Sequence, residues 1–164
     1  MAKIVTTHSK YKDVIVSKTD MRKLKKGLQR KMSDIVTHLV KQLTYIGEEC
    51  IRIARENGSY NDITGNLRSS IGYVVLLDGK PVIQGKPKQY KGKNGNGSDG
   101  APAADALLKK LQAKFPWGVV LIVCAGMNYA AYVEAIHHKD VLTSAELRAE
   151  QLAKKLLKGL TEAK

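Results

Sequence analysis

Cys124, Asn128 and the His137-His138 pair are the residue types that could do covalent chemistry, as a thiol, an orienting amide and an imidazole base. A thiol attacks only as the thiolate, which needs a cation or a helix N-terminus beside it. Cys124 instead sits near the end of Gly-Val-Val-Leu-Ile-Val-Cys-Ala, a strand-length apolar run with no placed positive charge. It reads as a small buried hydrophobe, and Cys50, on the apolar stripe of a long helix, reads the same way. Glu134 and His138 stand four apart and offer two metal ligands on one helical face, where at least three are needed. His8 and His38 have no spacing relation to them. The Gly92–Gly97 stretch does not sit between a strand and a phosphate-loop helix with a Lys-Ser/Thr end. The expectation is a non-enzyme with no catalytic residue, no metal and no cofactor.

The basic residues carry more information. The chain has 28 Lys+Arg against 15 Asp+Glu, a net charge of +13 over 164 residues. Residues 1–31 hold ten basic and two acidic groups, a local +8. Two clusters are candidate contacts for DNA or a protein partner: Arg22, Lys23, Lys25 and Lys26, and then Lys86, Lys88, Lys91 and Lys93. The plain alternative is a solvated helix face and a solvated loop. Aromatic residues make up 5%, which argues against readers of single strands that stack bases. No helix-turn-helix or zinc-finger spacing occurs, so any DNA contact is expected at phosphates without sequence preference.

These residues are positioned by a short series of elements. Apolar residues at Met21, Leu24, Leu28, Met32, Ile35, Leu39, Leu43, Ile46, Cys50 and Ile53 advance in steps of three and four. That is one helical stripe, with Thr19 or Asp20 as cap and Asn57-Gly58 as a left-handed stop. At 1.5 Å per residue such a helix is about 55 Å long, so it must kink, at Gly27 or Gly47, or project. Residues 1–18 read as an arm and 19–164 as one domain. Ile71–Leu77 is β-rich, and Asp78-Gly79 signals a hairpin into Val82-Ile83. Residues 84–102, rich in Gly and Lys with almost nothing to bury, read as a mobile loop. Ala103–Phe115 reads as a short helix, Gly118–Ala125 as the central strand and Asn128–Ile136 as a helix or turn. Leu142–Leu160 reads as a last amphipathic helix with Leu147, Leu152, Leu156, Leu157 and Leu160 inward. The fold class is α+β: long N-terminal and C-terminal helices on a small, mostly antiparallel sheet. Two cysteines exclude a disulfide framework, no apolar run reaches membrane-spanning length, and the first residues carry no secretory pattern.

Two stretches carry a resemblance. Ile63-Thr64-Gly65-Asn66-Leu67-Arg68-Ser69-Ser70-Ile71 resembles a Thr-Gly-x-Leu-Arg-x-Ser-Ile motif, and Asn128-Tyr129-Ala130-Ala131-Tyr132-Val133-Glu134 resembles Tyr-Ala-x-Tyr-Val-Glu. With a long basic helix before them and a helix after Val141-Leu142-Thr143-Ser144-Ala145, this order resembles the small head–tail connector or tail-completion (neck) proteins of long-tailed bacteriophages and prophages. The resemblance implies a structural virion protein that forms a ring, six-fold in symmetry, around the DNA channel. Its neighbours would be other copies of itself, neck proteins on the portal side and on the tail-tube side, and the double-stranded DNA passing through. Assembly would take place in the host bacterial cytoplasm. The alternative is a free non-specific DNA-binding protein. The motif residues Thr64, Gly65, Leu67, Arg68, Ser70, Tyr129, Tyr132 and Glu134 read as fold-specifying. Gly65 would allow a tight turn, Arg68 would pair with Glu134 to join the motifs, and Tyr129 and Tyr132 would pack on the sheet.

Overall fold

The computed structural model describes residues 20–86 and 88–162, so the arm expected over 1–18 lies outside the described residues. The chain divides after His38 into two units. Helix α1, Met21–Glu56, runs through that division. Its N-terminus is capped by Asp20, whose carboxylate accepts from the Arg22 and Lys23 N–H at 3.0 and 3.3 Å. In the first unit α1 is exposed, including Met21, Leu24, Leu28, Met32 and Ile35 of its apolar stripe.

In the second unit the same stripe is buried at Ile46, Cys50 and Ile53. Gly47 also lies on the buried side, where a Cβ would collide with the ring of Tyr73. The helix continues unbroken through Gly27 and Gly47. It ends at Glu56 without the expected left-handed stop, since Gly58 is not among the glycines of positive φ. Tyr60 folds back instead, and its hydroxyl donates to the Ala54 carbonyl at 3.1 Å, satisfying one of the open acceptors of the last turn.

After the one-turn helix α2, Asn66–Ser69, come β1, Ile71–Leu77, and β2, Lys80–Gln84. Asp78 and Gly79 both have positive φ, 48° and 74°, as the expected tight hairpin requires. Helix α3, Gly100–Gln112, begins three residues before the expected start, because Pro102 falls in the first turn, where no intrahelical donor is needed. Then come β3, Val119–Ala125, α4, Ala130–Ala135, and α5, Thr143–Glu162.

The sheet is antiparallel with order β2-β1-β3. The central strand is therefore β1, not the Gly118–Ala125 run. Ile71, Tyr73 and Val75 face one core with Ile46, Cys50 and Ala145, while Val74 and Leu76 face another with Leu108 of α3. The apolar run of β3 arises because helices cover both faces of the sheet even at this edge; most of its residues are only half-buried. On α5 the inward face is Ala145, Ala149, Leu152 and Leu156. Leu147 and Leu157, expected inward, are exposed, being off that 4-3-4 spacing. The α+β class stands as expected, with helices on both sides of a three-stranded sheet.

Candidate functional site

The two motif stretches meet at one end of the β1–β3 ladder, and Ser70 is where they join. It is fully buried at the foot of β1. Its hydroxyl donates to the Leu67 carbonyl at 2.8 Å and accepts from the Met127 N–H at 3.3 Å, while its carbonyl accepts from the Gly126 N–H at 2.9 Å. The strand thus leaves the first motif and the chain enters the second across one residue. Ser69 does the same toward residues 88–99. Its hydroxyl donates to the Gly65 carbonyl at 2.7 Å and accepts from the Tyr90 N–H at 2.8 Å. Thr64 starts the turn by accepting from the Asn66 N–H at 3.3 Å. Leu67 is buried in the main core.

Residues 88–99 form a strap over the first motif. The N–H groups of Lys93, Asn94 and Gly97 donate to the carbonyls of Asp62, Ile63 and Thr64 at 3.2, 2.7 and 2.9 Å. Asn66 and Asp99 exchange two further bonds, at 3.1 and 3.3 Å. Gly65 has φ 79°, and a Cβ there would collide with the Tyr90 carbonyl. This corrects the expectation of a loop with almost nothing to bury: what it buries is backbone, satisfied by backbone, and its glycines make the approach possible.

Arg68 does not reach Glu134. Its Nε lies 3.2 Å from the Asp62 carboxylate, and its guanidinium stands 5.5 Å from the centre of the Tyr90 ring. Arg55 and Lys88 approach the same ring at 5.6 and 5.0 Å, so Tyr90 gathers three cations. Arg55 is itself buried, and its Nη2 donates to the Ile71 carbonyl at 2.6 Å. Glu134 has another duty. Its Oε1 accepts from the Leu142 N–H, the Thr143 N–H and the Thr143 hydroxyl at 3.0, 2.8 and 2.6 Å, capping α5. Burial pushes this carboxyl up, but these donors and the Val141 N–H outweigh it and hold it below the usual carboxylate range. Glu134 is thus turned to the start of α5 and Arg68 to Asp62, and the link between the two stretches runs through Ser70 instead.

Tyr129 and Tyr132 do not pack on the sheet. Both are exposed, and the Tyr132 ring meets His137 edge-on with centroids 5.2 Å apart. With Ile63, Leu67 and Val133, Tyr129 lines a groove of about 500 Å³ between the two motifs. Asp62 also lines it, its carboxylate oxygens buried and Oδ2 facing the Arg68 Nε. Sequence reasoning missed this groove, because its walls come from stretches more than sixty residues apart.

All eight basic candidates are exposed: Arg22, Lys23, Lys25 and Lys26 in the first unit, and Lys86, Lys88, Lys91 and Lys93 in the second. Of their side chains, only that of Lys88 has a defined partner among the described residues, the Tyr90 ring. Burial pushes both thiols up to about 11, with Glu49 adding to the effect at Cys50 and Asp105 at Cys124. Neither is a thiolate at neutral pH. The described residues contain no group of three or more metal-ligating side chains and no helix long and apolar enough to cross a membrane.

Comparison of the chain with protein-family models, with curated proteins and with solved structures finds no match.

Proposed function

We propose that this chain is a structural virion protein, a head–tail connector or tail-completion subunit that forms a ring around the DNA channel of a phage neck. The observation that carries the reading is the convergence of the two family-like motifs on Ser70. Ser70 of the first stretch holds the Gly126 and Met127 N–H groups just ahead of the second, Ser69 holds the strap, and Glu134 of the second stretch holds the start of α5. That is what motif residues do when they specify a scaffold and not a reaction. The surface they leave, an apolar groove between them, suits a protein neighbour. On this reading the neighbours are other copies of the chain and neck proteins on the portal and tail-tube sides. The deciding experiment is electron microscopy of the virion that encodes the chain. Density for a ring of copies between portal and tail tube supports the proposal, and a virion without the chain overturns it.

A second reading, a free non-specific DNA-binding protein, is favoured by the exposure of the lysines on α1 and on the strap. It requires duplex affinity that survives about 150 mM salt, with a slope that becomes shallower when Lys23, Lys25 and Lys26 are changed to Gln. The ring reading expects binding that is weak and lost steeply between about 50 and 200 mM salt, because it would rest on counterion release alone.

A further inference from the structure

An asparagine followed by glycine readily loses its side-chain amide, because no Cβ shields the glycine nitrogen that attacks it. The chain has three such pairs, Asn57-Gly58, Asn94-Gly95 and Asn96-Gly97. Two of them follow one another on the strap, and the fold treats these two differently. Reaction needs a glycine N–H that can give up its proton and an asparagine side chain that can swing toward it. At Asn96 both are tied. The Gly97 N–H donates to the Thr64 carbonyl at 2.9 Å, and Gly97 is buried. The Asn96 Oδ1 accepts from the Ser98 N–H at 3.1 Å, and the Asn96 carbonyl accepts from the Gln89 side chain at 2.7 Å.

At Asn94 neither is tied. The Gly95 N–H and the Asn94 side chain make no hydrogen bond among the described residues, and both residues are exposed. Lys93 directly precedes them, and its positive charge favours the nitrogen anion through which the reaction passes. The third pair, Asn57-Gly58, lies away from the strap, and its Gly58 is half-buried against the Tyr60 ring.

We infer that Asn94 is a modification site, one that converts without an enzyme to aspartate and isoaspartate and so unlatches the strap from the first motif. Solvent base takes the Gly95 amide proton. The nitrogen then attacks the Asn94 Cγ; the N–Cγ bond forms, the Cγ–Nδ2 bond breaks, and the amide leaves as ammonia with a proton from water. Water opens the resulting cyclic imide. Cleavage on the side-chain side gives aspartate, and cleavage on the main-chain side leaves the chain running through Cγ as isoaspartate. In total one water enters and one ammonia leaves. The effect on the fold follows from the neighbours of the site. The Asn94 N–H donates to the Ile63 carbonyl at 2.7 Å, and the Gly97 N–H donates to that of Thr64. These two bonds fix the strap's spacing on the first motif. Isoaspartate inserts a methylene into the main chain between them, so the two cannot both keep their places. This site does not depend on the ring reading, and either can fail without the other.

The test ages the full chain at neutral pH, folded and in urea, and follows each pair by peptide mass spectrometry with fragmentation that separates aspartate from isoaspartate. The rates in urea set the reference for each pair. Relative to that reference, Asn96 in the folded chain should convert at least about tenfold more slowly than Asn94, because the Gly97 nitrogen is released only when the strap opens. Hydrogen exchange reads the consequence. The Gly97 amide should lose protection in the isolated isoaspartate form. It should keep protection in aged Asn94→Gln, whose longer side chain closes the ring far more slowly, and in Asn94→Asp, which adds the charge without the methylene. Both variants change an exposed side chain and should keep the wild-type circular dichroism. Equal relative rates at Asn94 and Asn96 overturn the proposal, as does an Asn94 that stays intact in the folded chain while it converts in urea. A Gly97 amide that stays protected in the isoaspartate form overturns the unlatching.

Discussion

Residues 21–35 of α1 carry an apolar stripe at helical spacing, and all five of its members are exposed. Residues 88–99 carry one tyrosine among glycines, lysines and asparagines, yet their backbone is tied to residues 62–66 by a run of hydrogen bonds. Side-chain hydropathy ranks these two segments in the reverse order of how firmly each is held in the fold. The strap is held by backbone donors finding backbone acceptors, which composition does not report. The stripe stays exposed because periodicity names the face that wants a partner and not the partner itself. Gly65 is where the contrast is sharpest. It has positive φ, and the strap's Tyr90 carbonyl occupies the space of its missing Cβ. Gly65→Ala is therefore expected to cost about 2–4 kcal/mol, adding backbone strain to overpacking. Denaturant unfolding measures this, and hydrogen exchange should show the Asn94 and Gly97 amides losing protection. If those amides already exchange within seconds in the wild type, the strap is not held and the comparison collapses.

Next in size is Ser70→Ala. It removes a buried hydroxyl that serves both motifs and leaves the Met127 N–H without its acceptor, a loss of about 1–3 kcal/mol in unfolding free energy. A change within about 0.5 kcal/mol would mean that the motifs are held together by packing alone.

The large elements were legible in the sequence because each is set locally. The helical stripe of α1, the Asp78-Gly79 hairpin and the amphipathic α5 need only spacing and turn chemistry. The errors are non-local. The apolar run at 118–125 has the look of a central strand, but which strand lies in the middle depends on pairing order, and β1 takes that place. Arg68 and Glu134 are plausible partners by charge, but Asp62 lies six residues from Arg68 and Thr143 nine from Glu134, and these nearer groups win. The groove was not readable at all, because it exists only once 61–67 and 129–139 are brought together.

Glu134 gives a test that depends on pH. Its carboxyl is held below the ordinary value in the folded state, so the folded state favours the ionised form. The stability it contributes is present above the unfolded carboxyl pKa, about 4.3, and is lost as pH falls through the lower folded value. Glu134→Gln should cost about 1 kcal/mol at pH 7, the size of a helix cap. The gap to wild type should close in acid, as urea titrations at pH 7 and in strong acid would show. A gap that persists unchanged would assign the loss to packing.

Arg68 and Asp62 should couple by roughly 0.5–1 kcal/mol in a double-mutant cycle, since both side chains are partly covered, while Arg68 and Glu134 should be additive. The reverse pattern would restore the motif-to-motif ion pair.

The smallest effect has the opposite sign. Gly27 lies in the middle of the exposed part of α1, and a Cβ built there meets nothing within 4 Å. Gly27→Ala removes conformational freedom from the unfolded chain and adds no collision. It should stabilise the helix by about 0.5–1 kcal/mol, seen as a higher-melting helical signal in far-UV circular dichroism. The unfolding midpoint of the second unit should not move. The same substitution at Gly65 is expected to act in the other direction and several times more strongly, so one residue type reports the two environments. If Gly27→Ala instead weakens the protein, that face of α1 is covered in solution by something that approaches its backbone closely. The stripe of Met21, Leu24 and Leu28 would then already have its partner.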